Sequence, residues 1–125
     1  MTALLDTNAL MMPVECDVRV FDELERLLGG TDCVVPQAVV DELEKLAGNA
    51  GEEAIAASVG RDLADRCTVL DHEAAYADDA VLELATRDRI DYAVTNDLPL
   101  RDRLLDAGVP VISLRGEHKL DITRP

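Results

Sequence analysis

Short apolar runs that alternate with helix-period segments predict an α/β fold. The expected architecture is a three-layer αβα sandwich around a five-stranded, mostly parallel sheet. Two observations carry this. Runs at Thr2 to Leu5, Cys33 to Val35, Thr68 to Leu70, Tyr92 to Thr95 and Val109 to Leu114 have strand length and are bounded by polar or turn residues. Between them lie segments whose apolar residues recur at helical spacing, so the connections are crossovers and the strands run parallel.

The first run, Thr2 to Leu5, ends abruptly at Asp6-Thr7-Asn8. Asp17 to Leu28 places Val20, Phe21, Leu24, Leu27 and Leu28 at helical spacing, with Asp17 as the expected cap and Gly29-Gly30 as the stop. The second strand closes at Pro36, which also suits the first turn of a helix running to about Ala47, with Gly48 after it. That helix has Val39, Val40, Leu43, Leu46 and Ala47 on its apolar face, and Glu42 and Glu44 border opposite edges of the stripe. A helix from Glu52 to about Arg66 carries Ile55, Val59 and Leu63 on one face. After the third strand, a loop rich in Ala and Asp leads into a helix from Asp78 to Arg87, with Ala80, Val81, Leu84 and Ala85 inward. After the fourth strand, Asn96-Asp97 caps a helix through Ala107 that has Pro99 in its first turn. Pro110 suits a strand start or a sheet edge. The polar tail, 115–125, alternates Leu120 and Ile122 and is left between a short edge strand and a loose end. No linker or repeat divides the chain, so residues 1–125 are expected to form one domain.

Composition narrows the function classes. The net charge is −14, with two lysines, Lys45 and Lys119, against ten arginines. Such a surface repels nucleic acid and gives no long-range steering toward it. A salty, halophilic cytoplasm selects acidic, lysine-poor surfaces, and a cation site would account for only a few of these acids. Phe21, Tyr76 and Tyr92 are the whole aromatic complement. The core is therefore aliphatic, and the count argues against an aromatic platform for stacked bases. No apolar run approaches the roughly 20 residues of a membrane span. The chain opens directly on a strand, which gives the expectation of a cytoplasmic protein with no membrane partner. Cys16, Cys33 and Cys67 are widely spaced and read as free thiols, and His72 and His118 are isolated.

The chemistry lies in the acids. Asp6 follows the first strand, Asp97 follows the fourth, and Asp79 opens the helix after the third. Glu42 lies one turn inside the helix after the second. In a parallel sheet, strand ends and the helix starts that follow them share one edge, so residues far apart in sequence can converge there. Each acid alone also reads as a cap or a solvated flank residue. Together they are mutually repelling carboxylates, which persist when a cation neutralises them or some stay protonated. Oxygen ligands without paired His or Cys select Mg²⁺ or Mn²⁺ over zinc, and one or two such ions suit phosphodiester hydrolysis.

Four segments, Leu5-Asp6-Thr7-Asn8, Val39-Val40-Asp41-Glu42-Leu43, Tyr76-Ala77-Asp78-Asp79-Ala80 and Val94-Thr95-Asn96-Asp97, occur in this order and spacing. The chain thereby resembles PIN domains, the nuclease fold of VapC-type toxins and ribosomal-RNA-processing endonucleases. The Tyr76 to Ala80 segment and Val109-Pro110-Val111-Ile112 are more similar to the processing branch. The resemblance implies a five-stranded parallel sheet with the first strand central, and Mg²⁺- or Mn²⁺-dependent cleavage of single-stranded RNA. It implies that Asp6, Glu42, Asp79 and Asp97 form the acidic quartet, that Thr7 orients the first Asp, and that Asn8 is the polar residue beside it. It makes Asp78 an additional metal ligand and Asn96 a secondary substrate-positioning residue. Arg87, Arg89, Arg101 and Arg103 are the nearest candidates for phosphate contacts, Arg87 and Arg101 first, but they lie at the far ends or flanks of their helices, where the alternative reading of each as a solvated face is favoured. It also implies partners: an antitoxin or a ribosome-assembly protein, and a second copy in a homodimer. A catalytically silent scaffold of the same fold is the alternative to a nuclease.

Overall fold

A computed structural model describes residues 1–125. The strands are β1 (Thr2–Leu5), β2 (Asp32–Pro36), β3 (Thr68–Leu70), β4 (Tyr92–Val94), β5 (Val111–Arg115) and β6 (Lys119–Thr123). The helices are α1 (Thr7–Glu15), α2 (Val20–Leu28), α3 (Gln37–Ala47), α4 (Glu52–Ala64), α5 (Ala77–Arg87) and α6 (Leu98–Asp106). They build an α/β fold around one six-stranded sheet of order β3-β2-β1-β4-β5-β6. β1 to β5 run parallel, and β6 pairs antiparallel with β5, so the polar tail supplies an edge strand and the sheet has six strands, not five. No helix is long and apolar enough to cross a membrane.

β1 lies in the interior because Ala3, Leu4 and Leu5 are apolar on both faces and fully buried. The chain winds outward from it through β2 to β3, then returns to β4 on its other side. The strand order reverses between β1 and β4, and open α/β sheets form their ligand crevice beyond the carboxyl ends of strands at such a point. Asp6 and Thr95 stand at those two ends.

No helical period is legible between Asn8 and Asp17, yet α1 fills that gap. Ala9, Leu10, Met11 and Met12 are consecutive and all buried, so α1 shows no 3.6-residue alternation to read. Pro13 sits inside it. The next helix starts later than expected: Asp17 has a left-handed backbone (φ 52°), and α2 begins at Val20 with no side-chain cap.

α4 packs through small residues, not through its bulky ones. Ala54, Ala56, Ala57, Gly60 and Ala64 are buried, whereas Ile55 is 60% exposed. The reason is close approach: a Cβ on Gly60 would lie 2.8 Å from the Leu10 carbonyl oxygen of α1 and 3.2 Å from a Leu43 methyl of α3. Gly60→Ala is therefore expected to destabilise the fold by about 1–3 kcal/mol despite its better helix propensity. Urea unfolding measures this, and an unchanged midpoint would show that α1 and α4 can separate freely.

Cys33 and Cys67, distant in sequence, stand one step before the paired residues Val34 and Thr68 on adjacent strands. All three cysteines are free and partly buried.

Candidate active site

The crevice beyond β1 and β4 is a cleft of about 420 Å³, lined by Asp6, Thr7, Asn8, Glu42, Asp78 and Asp97, among others. Asp6 is its buried floor, 5% exposed. It is the N-cap of α1: Oδ1 accepts the Ala9 N–H at 3.0 Å. Oδ2 accepts from Asn8 Nδ2 at 2.9 Å and from the Thr95 hydroxyl in a short bond. Asp97 is built likewise, capping α6 through Oδ1 and the Leu100 N–H at 2.9 Å. The capping and functional readings of these residues are thus compatible, because the cap fixes the carboxylate at the sheet edge.

Burial dominates the electrostatics of Asp6 and raises its pKa to about 7. The hydrogen bonds from Thr95 and Ala9 oppose the rise, and the charges of Asp97 and Glu42 add to it. Glu42 is exposed as a residue, but its carboxyl group is partly screened from water. Its pKa is also raised, first by that screening and then by the charge of Asp78, while the Thr7 hydroxyl and Lys45 lower it. Thr7 Oγ1 is itself buried and forms no hydrogen bond of regular geometry. The acids around the cleft are thus close enough to feel one another.

The PIN-like domain family matches residues 3–117. The chain belongs to that family. Ribonuclease VapC4 of Methanocaldococcus jannaschii is 27% identical over 121 residues, spanning 94% of this chain and 92% of that protein. The structure of the PIN domain endonuclease Utp24 superposes with a TM-score of 0.80 at 26% identity, covering 99% of this chain and 92% of that one. VapBC2 from Rickettsia felis, solved bound to a DNA fragment from its promoter, gives 0.65 at 14% identity over 90% of this chain and 98% of that one, a likeness of fold alone.

Within this PIN fold the residues singled out by sequence do not all meet. Asp79 does not line the cleft; its Oδ1 accepts from Arg103 Nη2 of α6 at 2.9 Å. Asp78 lines it instead, with Arg103 Nη1 4.0 Å from its Oδ2. Asn8 and Asn96 are framework residues: Asn8 Oδ1 accepts the Asn96 N–H at 2.9 Å, and Asn96 Oδ1 accepts the Leu114 N–H at 2.7 Å. Arg87 is engaged away from the cleft, donating to Glu83, Asp88 and the Asp71 carbonyl at the far end of α5. Arg101 does not line the PIN cleft either, and its nearest acid is Asp102 at 3.9 Å.

Thr95 is the residue that sequence reasoning missed. It is fully buried, donates to Asp6, and accepts the Asp97 N–H at 3.1 Å and Asn8 Nδ2 at 3.3 Å. One hydroxyl thus ties both strand-end acids together. The signal was a near mirror: Asp-Thr-Asn ends β1, and Thr-Asn-Asp ends β4. Glu15 and Glu53 also line the cleft and went unremarked.

The donor set suits a hard divalent cation. It is all oxygen, it includes a buried carboxylate facing like charges, and the buried Thr7 hydroxyl stands among them. No three acidic, His or Cys side chains stand close enough to form a ready-made cage, so the carboxylates ring an open cleft.

Proposed function

We propose that the chain is a Mg²⁺- or Mn²⁺-dependent endoribonuclease that hydrolyses single-stranded RNA. The observation that carries this reading is the buried Asp6, held by donors from three directions at the floor of a cleft whose other walls are acidic. Burying a carboxylate among carboxylates is costly, and a cation is what offsets it. Asp6, Asp97, Glu42 and Asp78 would hold that ion. When bound, it supplies a Lewis acid that lowers the pKa of water and neutralises phosphate charge. Thr95, Asn8 and the α1 amide keep the Asp6 oxygens in place. Glu42, on the wall of that cleft, is placed to accept a proton from an attacking water.

An RNA-processing role is favoured by the Tyr76 to Ala80 and Val109 to Ile112 segments, and the superposition on the PIN domain endonuclease Utp24 supports an endonuclease. A VapC-type toxin is the second reading, supported by the 27% identity to Ribonuclease VapC4. Expression in a host that then stops growing, and recovers with a small protein encoded alongside, would select the toxin.

The test of the activity is cleavage of a labelled single-stranded RNA with Mn²⁺, with Mg²⁺ and with EDTA. Cleavage is expected only with the ions. Glu42→Gln should cost about a hundredfold or more, and Glu44→Gln about twofold at most. The two glutamates flank the same apolar stripe, but Glu44 faces Arg61 on the surface at 2.9 Å. Equal losses would remove Glu42 from the mechanism.

A further inference from the structure

Beside the acidic cleft lies a second hollow of about 230 Å³, lined by Ala38, Ala75, Ala77, Tyr76 and Lys45 together with two acids, Asp41 and Glu42. Glu42 and Ala77 belong to both hollows, so the two adjoin. Tyr76 is 73% exposed. The other aromatic rings are not free: Tyr92 is buried, and Arg66 stands over Phe21 at 4.1 Å.

Tyr76 is mounted on a tied-down segment. Its carbonyl accepts the Ala80 N–H at 2.9 Å and so starts α5. The Glu83 carboxylate holds the Glu73 and Ala74 N–H groups, and His72 Nε2 accepts the Ala38 N–H at 2.9 Å. The ring's base is therefore fixed relative to α3, which carries Glu42. Three alanines give the hollow a shallow apolar lining. Lys45, one of only two lysines in the chain, adds a cation whose charge is felt at Glu42.

We propose that this hollow is a nucleobase subsite: Tyr76 stacks on the base of a nucleotide next to the scissile phosphate, and Lys45 faces that nucleotide's own phosphate. The proposal rests on the ribonuclease reading and deepens it. It also answers how a chain of net charge −14 keeps hold of RNA. Stacking requires no net positive surface and releases few counterions, so it survives where phosphate contacts are scarce. The count of aromatics argued against a stacking platform, but one ring in this position is enough.

The test uses the full chain carrying Tyr92→Phe, in which Tyr76 is the one tyrosine and no tryptophan is present. Asp6→Asn is added to prevent cleavage. A short single-stranded RNA, and copies with an abasic residue at each position in turn, are titrated while tyrosine fluorescence is read. RNA is expected to quench Tyr76. In matched anisotropy titrations, Tyr76→Ala should weaken binding about tenfold or more and Tyr76→Phe about twofold at most. One abasic position should reproduce the alanine loss, and should cost nothing further in the alanine variant. RNA that binds Tyr76→Ala as tightly as the parent, with no quenching, overturns the subsite. If the chain with Asp6 intact still cleaves RNA, the ribonuclease reading survives that failure. If that chain neither binds nor cleaves RNA, both fall.

Discussion

Asp6→Asn is expected to reduce RNA cleavage by about 10³-fold or more, and to make the cation-free protein more stable at alkaline pH. The first effect follows from losing the charge at the cleft floor. The second follows from linkage. In the folded chain Asp6 titrates near 7, against an ordinary 3.8, so between those values the folded state binds a proton that the unfolded state has released. Stability from this group is fully present below the unfolded value and is lost as the pH rises through 7. The loss is on the order of 4 kcal/mol for a shift of this size. An asparagine removes that slope. It gives back part of the gain, because its Nδ2 cannot accept from Asn8 as the Oδ2 of Asp6 does. Urea unfolding in EDTA at pH 5 and pH 8 should show the variant gaining on the parent by a few kcal/mol across that interval. A difference that stays flat with pH would mean that Asp6 is not the strained carboxylate described above.

At sub-saturating Mn²⁺, where a proton and the ion compete for Asp6, Thr95→Val is expected to move the acid limb of the cleavage pH profile upward. The Thr95 hydroxyl opposes the burial-driven rise at Asp6 more than any other group does. Valine keeps the shape and removes the donor, so the carboxylate form of Asp6 becomes harder to reach. Activity at neutral pH should fall roughly tenfold to a hundredfold and largely return at higher pH. Loss of the hydroxyl also leaves the Asp97 N–H and Asn8 Nδ2 without that acceptor, at a cost of about 1–3 kcal/mol in stability. A uniform loss of rate with an unmoved pH profile would make Thr95 a packing residue only.

The contrast between Asp6 and Thr95 shows where the sequence was legible. Asp6 and Asp97 could be placed because an acid following an apolar strand breaks a simple pattern, whereas Glu42, inside α3 and flanking the same apolar stripe as Glu44, could be placed only by the resemblance of its segment to PIN domains. Thr95 could not, since threonine is ordinary in a strand, and only the fold brings its hydroxyl against a residue 89 positions away. β1, β2, β4 and the helices α3, α5 and α6 were readable from periodicity. α1 was not, because four consecutive residues, Ala9 to Met12, are all buried and so show no period. α4 showed its bulky face, but packing chose the small-residue face that lets Gly60 approach Leu10. Asp78 and Asp79 are adjacent, and no sequence rule foresaw Arg103 arriving from α6 to hold Asp79.

The central claim is that the sheet-edge carboxylates form one divalent-cation site. Calorimetric titration of Mn²⁺ into the parent, Asp6→Asn and Asp97→Asn, without RNA, tests it most directly. Saturable binding to the parent, weakened more than about tenfold by either substitution, is the predicted result. Equal Mn²⁺ affinity in all three proteins, or RNA cleavage that persists in EDTA, would contradict it.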